Sequence, residues 1–168
     1  VEHLALPSQE HLERLVNLSC ISVPQPIFLY EFGDNYYKYI GDEFLNRTYP
    51  FKTQLEMGIP TAFSSDGPVV KDMTPLSGIQ SALERTSREG KPVAKHEEIT
   101  LEQALECYTT HAAYSNFREE VTGSLEKGKR ADIVILKEDL FEVPVQKISQ
   151  VEVDSTWIKG ECAYDSAK

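Results

Sequence analysis

Two residues in this sequence have both the type and the placement to handle a metal or a proton. His3 closes the opening run Val1-Glu2-His3, and Asp66 follows the mostly apolar run Ile59 to Ser64. In folds built from parallel strand-helix units, reactive side chains sit at the carboxyl ends of strands, where loops and helix N-termini converge on one opening. A histidine and an aspartate at two such ends suit a divalent metal paired with a general base. By position alone, His3 could equally be a hydrogen-bonded structural histidine, and Asp66, ahead of Gly67-Pro68, a turn aspartate. The other histidines have plainer settings: His11 on a solvated helix face, His96 in a charged loop and His111 inside a helix. Surface or packing roles are expected for all three.

Elements must hold those two positions. Val1 to Leu6 reads as a strand, and Ser8 caps a helix over residues 8–19, with Leu12, Leu15, Val16 and Ser19 on one face. Cys20 to Val23 alternates as a short strand that Pro24-Gln25-Pro26 ends, because neither proline can donate to a ladder. Ile27 to about Asn46 is dense in rings, which suits a packed loop or the wall of a substrate pocket, with packing the plainer reading. Pro50 to Gly58 predicts a helix, Ile59 to Ser64 a strand, and Thr74-Pro75 opens a helix running to Gly90. Thr100-Leu-Glu-Gln103 is a capping box that starts a helix over residues 100–115. From Gly123 the period changes. Ala131 to Leu136, Val151 to Val153, and Thr156 to Lys159 turned by Gly160-Glu161 onto Cys162 to Tyr164 all read as strands. The order predicts parallel β/α units of a barrel or doubly wound sheet, followed by a β accessory module.

Composition narrows the function classes. The 168 residues are 26% charged and 40% hydrophobic, an ordinary globular balance that excludes disorder and fibre. No apolar run approaches the roughly 20 residues of a membrane span. A formal net charge of -10 argues against a nucleic-acid partner, and the one basic run, Lys127-Gly-Lys129-Arg130, is too short to offset it. Cys20, Cys107 and Cys162 form no disulfide or zinc-finger pattern and read as small core fillers, for which the cytoplasm is the natural compartment. The chain opens without a methionine, so it is expected to begin in mid-domain.

The motifs together resemble a family. Val1-Glu2-His3 is similar to the Arg-x-Glu-His segment on the sixth strand of metal-dependent amidohydrolases of the N-substituted formamide deformylase and D-aminoacylase-like branch. The likeness continues through Gln25-Pro26, Gly58-Ile-Pro60, Ser64-Ser65-Asp66-Gly67-Pro68-Val69, Pro75-Leu76 with Arg85, and Leu105 to Ala113. It ends in Gly123-Ser-Leu-Glu-Lys-Gly128-Lys-Arg-Ala-Asp132-Ile-Val-Ile-Leu136, the most specific stretch, which resembles the return of these enzymes to a β-sandwich made from both chain ends.

The resemblance implies the C-terminal part of a (β/α)8 TIM barrel over residues 1–118, and strands of a β-sandwich accessory domain over residues 119–168. It implies His3 and Asp66 as metal ligands, Asp66 also as the catalytic proton carrier, and a divalent metal, zinc being the expected ion, one or two per intact site. Gln25, Phe28, Tyr30, Gly67 and Pro68 are the expected substrate-side residues. The implied reaction is hydrolysis of a non-peptide C–N bond in a small N-acyl, N-formyl or cyclic amide. The family's His-x-His on the first strand, its Glu, Cys or modified Lys on the fourth and its His on the fifth have no counterpart here. A whole barrel takes roughly 250 residues. Activity is therefore expected to need a missing N-terminal part, and the competing reading is a non-catalytic scaffold or interaction domain. Self-association through open sheet edges is a further expectation.

Overall fold

A computed structural model describes every residue from Val1 to Lys168. The chain is α/β. Its first part sets helices around three short parallel segments, and its last part is a small antiparallel sheet.

The parallel segments are shorter than the sequence predicts. Glu2 bridges Val23 and Ser22 bridges Thr61, both in parallel, and these bridges are isolated rather than parts of extended strands. Backbone bonds set the order of the segments: His3 N donates to Val23 O (3.1 Å), Ala62 N to Ser22 O (2.8 Å) and Ser64 N to Pro24 O (3.1 Å). Pro24 and Pro60 have no amide hydrogen, so the ladder cannot propagate through them. The first segment does not run to Leu6. It turns out at His3, whose φ is 64°, and Leu4 N donates to Glu2 O at 2.9 Å to close a three-residue turn.

The helices fill the spaces between these segments. Helix α1 (Gln9–Asn17) starts at the Ser8 cap, with Ser8 and His11 exchanging side-chain and backbone bonds as a capping box. Its buried Leu12 and Leu15 pack on Ile59. The aromatic stretch expected to be a loop or pocket wall is instead helical, forming α2 (Ile27–Tyr39) and α3 (Gly41–Leu45). Pro26, already at helical dihedrals, nucleates α2, and Phe28, Phe32 and Tyr36 at i, i+4 spacing pack into the main core. Rings on all sides of this helix hide its period.

Helix α4 (Phe51–Glu56) leads to the third parallel segment, and α5 (Pro75–Glu84) follows it. Helix α5 stops short of the expected Gly90, because Arg85 enters the left-handed region (φ 46°, ψ 52°) and turns inward. Its buried guanidinium donates to four backbone carbonyls, those of Val93, Ala94, Tyr49 and Thr48. Helix α5 also approaches α6 (Leu101–Tyr108) closely at Gly78, where a Cβ would collide with the Tyr108 hydroxyl.

The single helix expected over residues 100–115 is two, α6 and α7 (Thr110–Ser115), broken at Thr109 (φ -118°, ψ -83°). At the break the Cys107 carbonyl accepts the Phe63 amide at 3.0 Å, fastening the helix end to the third parallel segment.

The C-terminal strands β1 (Ile133–Leu136), β2 (Val153–Ile158) and β3 (Glu161–Asp165) form one antiparallel sheet in that order. The β2–β3 turn is Lys159-Gly160, both at positive φ, one residue before the predicted position. One layer is present, not the two of a sandwich. An apolar cavity of about 900 Å³ lies between helices α5 to α7 and strands β1 and β2, lined in part by Leu76, Tyr108, Leu136 and Val153. The cysteines also depart from expectation: all three are free, but only Cys107 is buried, Cys20 being half-buried and Cys162 exposed.

Candidate metal-ligand site

His3 and Asp66 meet at one end of the parallel segments. Each sits where its segment stops, and the nearest approach is 3.9 Å, from His3 Nδ1 to Asp66 Oδ2. Both have left-handed backbones, at φ 64° and 50°. Aspartate tolerates that region comparatively well and histidine less so, so His3 holds a conformation of the kind that clusters at functional sites. The side chains stay open to solvent, His3 at 54% and Asp66 at 36%.

What fixes His3 is a buried amide. Gln25 Oε1 lies 2.8 Å from His3 Nδ1, while Gln25 Nε2 donates to Val23 O at 2.9 Å and to Ser64 Oγ at 2.8 Å. The Phe28 ring lies nearly parallel to the imidazole, with centroids 6.3 Å apart. Tyr49 is also near enough to feel Asp66. Burial raises its phenol well above the ordinary range, with Tyr36 and then the Asp66 carboxylate adding to the rise.

The residues expected on the substrate side divide. Gln25 is only 1% exposed, so it does not line a substrate wall but ties His3 to the neighbouring segments. Phe28 is buried against His3 and Phe32. Tyr30 is not brought to the His3 end. It lines a polar cavity of about 300 Å³ with Glu31, Asp72 and Ser77, and the Arg88 guanidinium lies over its ring. Gly67 and Pro68 remain exposed beside Asp66, and a Cβ on Gly67 would sit 2.5 Å from Met73 Sδ. His11 caps α1, His96 is exposed, and His111 lies 3.1 Å from Thr61 O. Ser64 and Tyr49 were not singled out from the sequence. Ser64 is two residues before Asp66, the spacing that returns a strand side chain to the same face, whereas nothing in the sequence marks Tyr49.

An imidazole nitrogen and a carboxylate oxygen are suitable donors for a zinc-class ion. The fit is that of a partial set, because no group of three or more His, Cys, Asp or Glu side chains that could hold a metal forms in the chain. His3 and Asp66 are an imidazole and a carboxylate that lie 3.9 Å apart at this end of the segments.

Comparison with known proteins places the chain in a wider group. The sequence profile described as "Amidohydrolase family" matches residues 1–164. An N-substituted formamide deformylase of Arthrobacter pascens is 25% identical over 167 residues, covering 98% of this chain and 30% of that protein. A solved structure of an uncharacterized metal-dependent hydrolase from Pyrococcus horikoshii superposes with a TM-score of 0.75 at 27% identity, over 86% of this chain and 30% of that one. An adenosine deaminase from Xanthomonas campestris, solved with bound zinc, shares the fold at a TM-score of 0.71 and 16% identity. The chain thus spans about a third of the length of these relatives.

Proposed function

Because the chain belongs to the amidohydrolase family, we propose that it is part of a metal-dependent enzyme that hydrolyses carbon–nitrogen bonds other than peptide bonds. The observation that carries this is the convergence of His3 and Asp66 at one end of three parallel segments. His3 and Asp66 would hold a divalent ion, which we take to be zinc, one or two per complete site. Such an ion supplies Lewis acidity and lowers the pKa of water at its surface. Asp66 takes up the proton that the attacking water loses, and returns it to the leaving amine nitrogen. Its side chain is open to solvent at the end of its segment, while Gly67 and Pro68 shape the loop behind it.

The substrate class we assign is a small N-acyl, N-formyl or cyclic amide, supported by the deformylase relative. The donors still lacking are assigned to further chain of the parent protein. We assign residues 1–118 to a (β/α)8 barrel and residues 119–168 to a β-sandwich. The one-layer sheet, with Ile135 and Trp157 exposed on the face turned away from the helices, supports a second layer supplied from elsewhere. No helix is long and apolar enough to cross a membrane.

One observation favours a second reading, a non-catalytic scaffold: the chain alone assembles no set of three donors. Assaying the intact parent on N-formyl and N-acyl amines, before and after chelation, decides between them. Turnover that chelation abolishes and zinc restores supports the hydrolase. No turnover on any amide at full metal occupancy supports the scaffold.

A further inference from the structure

One side chain binds all three parallel segments at the His3 end. Gln25 belongs to the second segment, lies 2.8 Å from His3 Nδ1 on the first, and donates to Ser64 Oγ on the third. We propose that Gln25 is a positioning residue that selects the tautomer of His3, holding the proton on Nδ1 and leaving Nε2 as the ring nitrogen with an open lone pair. This deepens the role proposed above for His3 as a metal donor, and rests on it.

The orientation of the amide follows from its partners. A backbone carbonyl can only accept, so the Gln25 atom 2.9 Å from Val23 O must be the nitrogen. The second hydrogen on that nitrogen goes to Ser64 Oγ. Oε1 therefore faces His3, and a carbonyl-type oxygen facing a ring nitrogen at 2.8 Å requires that nitrogen to carry the proton. In the neutral ring the lone pair then resides on Nε2, because the bond made by one imidazole nitrogen dictates the state of the other. Free histidine prefers the opposite arrangement, with the proton on Nε2. The site inverts that preference.

The amide has little freedom to do otherwise. Gln25 stands between Pro24 and Pro26, and a residue before proline is restricted to extended dihedrals. Its side chain is 1% exposed with every donor used, so rotating it would leave the Val23 carbonyl facing an oxygen in a dry setting. Phe28, nearly parallel to the imidazole, limits its tilt on that side.

Two-bond proton–nitrogen correlation spectra of the ¹⁵N-labelled 168-residue chain, without metal and in buffer alkaline enough to keep imidazoles neutral, read the tautomer directly. The expected spectrum has a pyrrole-type Nδ1 and a pyridine-type Nε2 at His3. Gln25→Leu removes the acceptor and should reverse the two types. If Gln25→Leu unfolds the chain, seen as loss of the native His111 signals, the wild-type spectrum decides. A pyridine-type Nδ1 in the wild type, or an unchanged tautomer in folded Gln25→Leu, overturns the proposal. Metal content of the intact parent carrying His3→Ala tests the metal-donor role separately. Full occupancy there would sink that role while leaving the tautomer result standing.

Discussion

His3 Nδ1 lies 3.9 Å from Asp66 Oδ2 across three parallel segments, with Gln25 of the middle segment bonded to the histidine. Neither residue reaches the other through its own segment. The bridges Glu2–Val23 and Ser22–Thr61 set the spacing, and each residue sits at a positive-φ turn with its side chain open to solvent.

Replacing Asp66 by Asn in the intact parent should lower kcat by about 10²–10⁴-fold, the usual worth of a positioned general acid–base. Asparagine matches the carboxylate in shape and also tolerates the φ of 50°, so the melting temperature should hold. If Asp66 is only a turn residue, the melting temperature falls and turnover survives. Measuring both on one variant separates the cases, and near-normal kcat at full metal occupancy removes Asp66 from the mechanism.

The isolated 168-residue chain should not retain zinc through dialysis, because catalytic zinc takes three protein ligands and no group of three or more His, Cys, Asp or Glu side chains that could hold a metal forms in this chain. Elemental analysis after dialysis checks it. Stoichiometric zinc that disappears in His3→Ala would show that a third donor has been overlooked.

Arg85→Met should cost about 3 kcal/mol of folding stability, because it strips charge-assisted bonds from four buried carbonyls. Burial pushes the guanidinium pKa down to about 10, so the charge is held at a cost that those carbonyls offset. Arg85→Lys should rescue little, since one ammonium cannot span Thr48 and Tyr49 on one side and Val93 and Ala94 on the other. Urea midpoints of the two variants test this, and a lysine variant as stable as wild type would contradict it.

Cys107 should stay unreactive in the native chain while Cys162 labels quickly. Burial, reinforced by Glu106, pushes the Cys107 thiol up to about 12. Its neutral form is favoured in the folded state, so its contribution to stability is whole below the ordinary thiol range and is lost as pH rises towards 12. Tyr36, Tyr49 and Tyr108, also shifted up, add the same slope only above the ordinary phenol range. Cys107→Ala should therefore flatten the first part of the alkaline stability loss. Unfolding midpoints measured across that range check the slope, and an unchanged profile would show that the thiol is not its source.

Local signals carried much of the fold. Ser8 and Thr100 are caps whose partners sit three residues on, and Pro75 at a first helical turn needs no tertiary context, so α1, α5 and α6 were legible at their starts. The ends of α5 and α6 were not. Arg85 and Thr109 stop their helices where distant groups intervene, the carbonyls of Thr48 and Tyr49 in one case and the Phe63 amide at the Cys107 carbonyl in the other. Helix α2 was missed because its rings face several neighbours at once and show no single stripe.

The site divides in the same way. That His3 and Asp66 are polar residues at the ends of chain segments is visible in the sequence, and their approach to 3.9 Å belongs to the tertiary structure. The part played by Gln25 was decided only in three dimensions. An amide has a donor end and an acceptor end, and which end meets His3 depends on Val23 O and Ser64 Oγ, the second of which comes from a segment remote in sequence. Residue types and spacing determine what a chain can bond to. The choice among those bonds is made where separate segments come within about 3 Å of one another, a distance that hydrogen bonding requires and one-dimensional order does not encode.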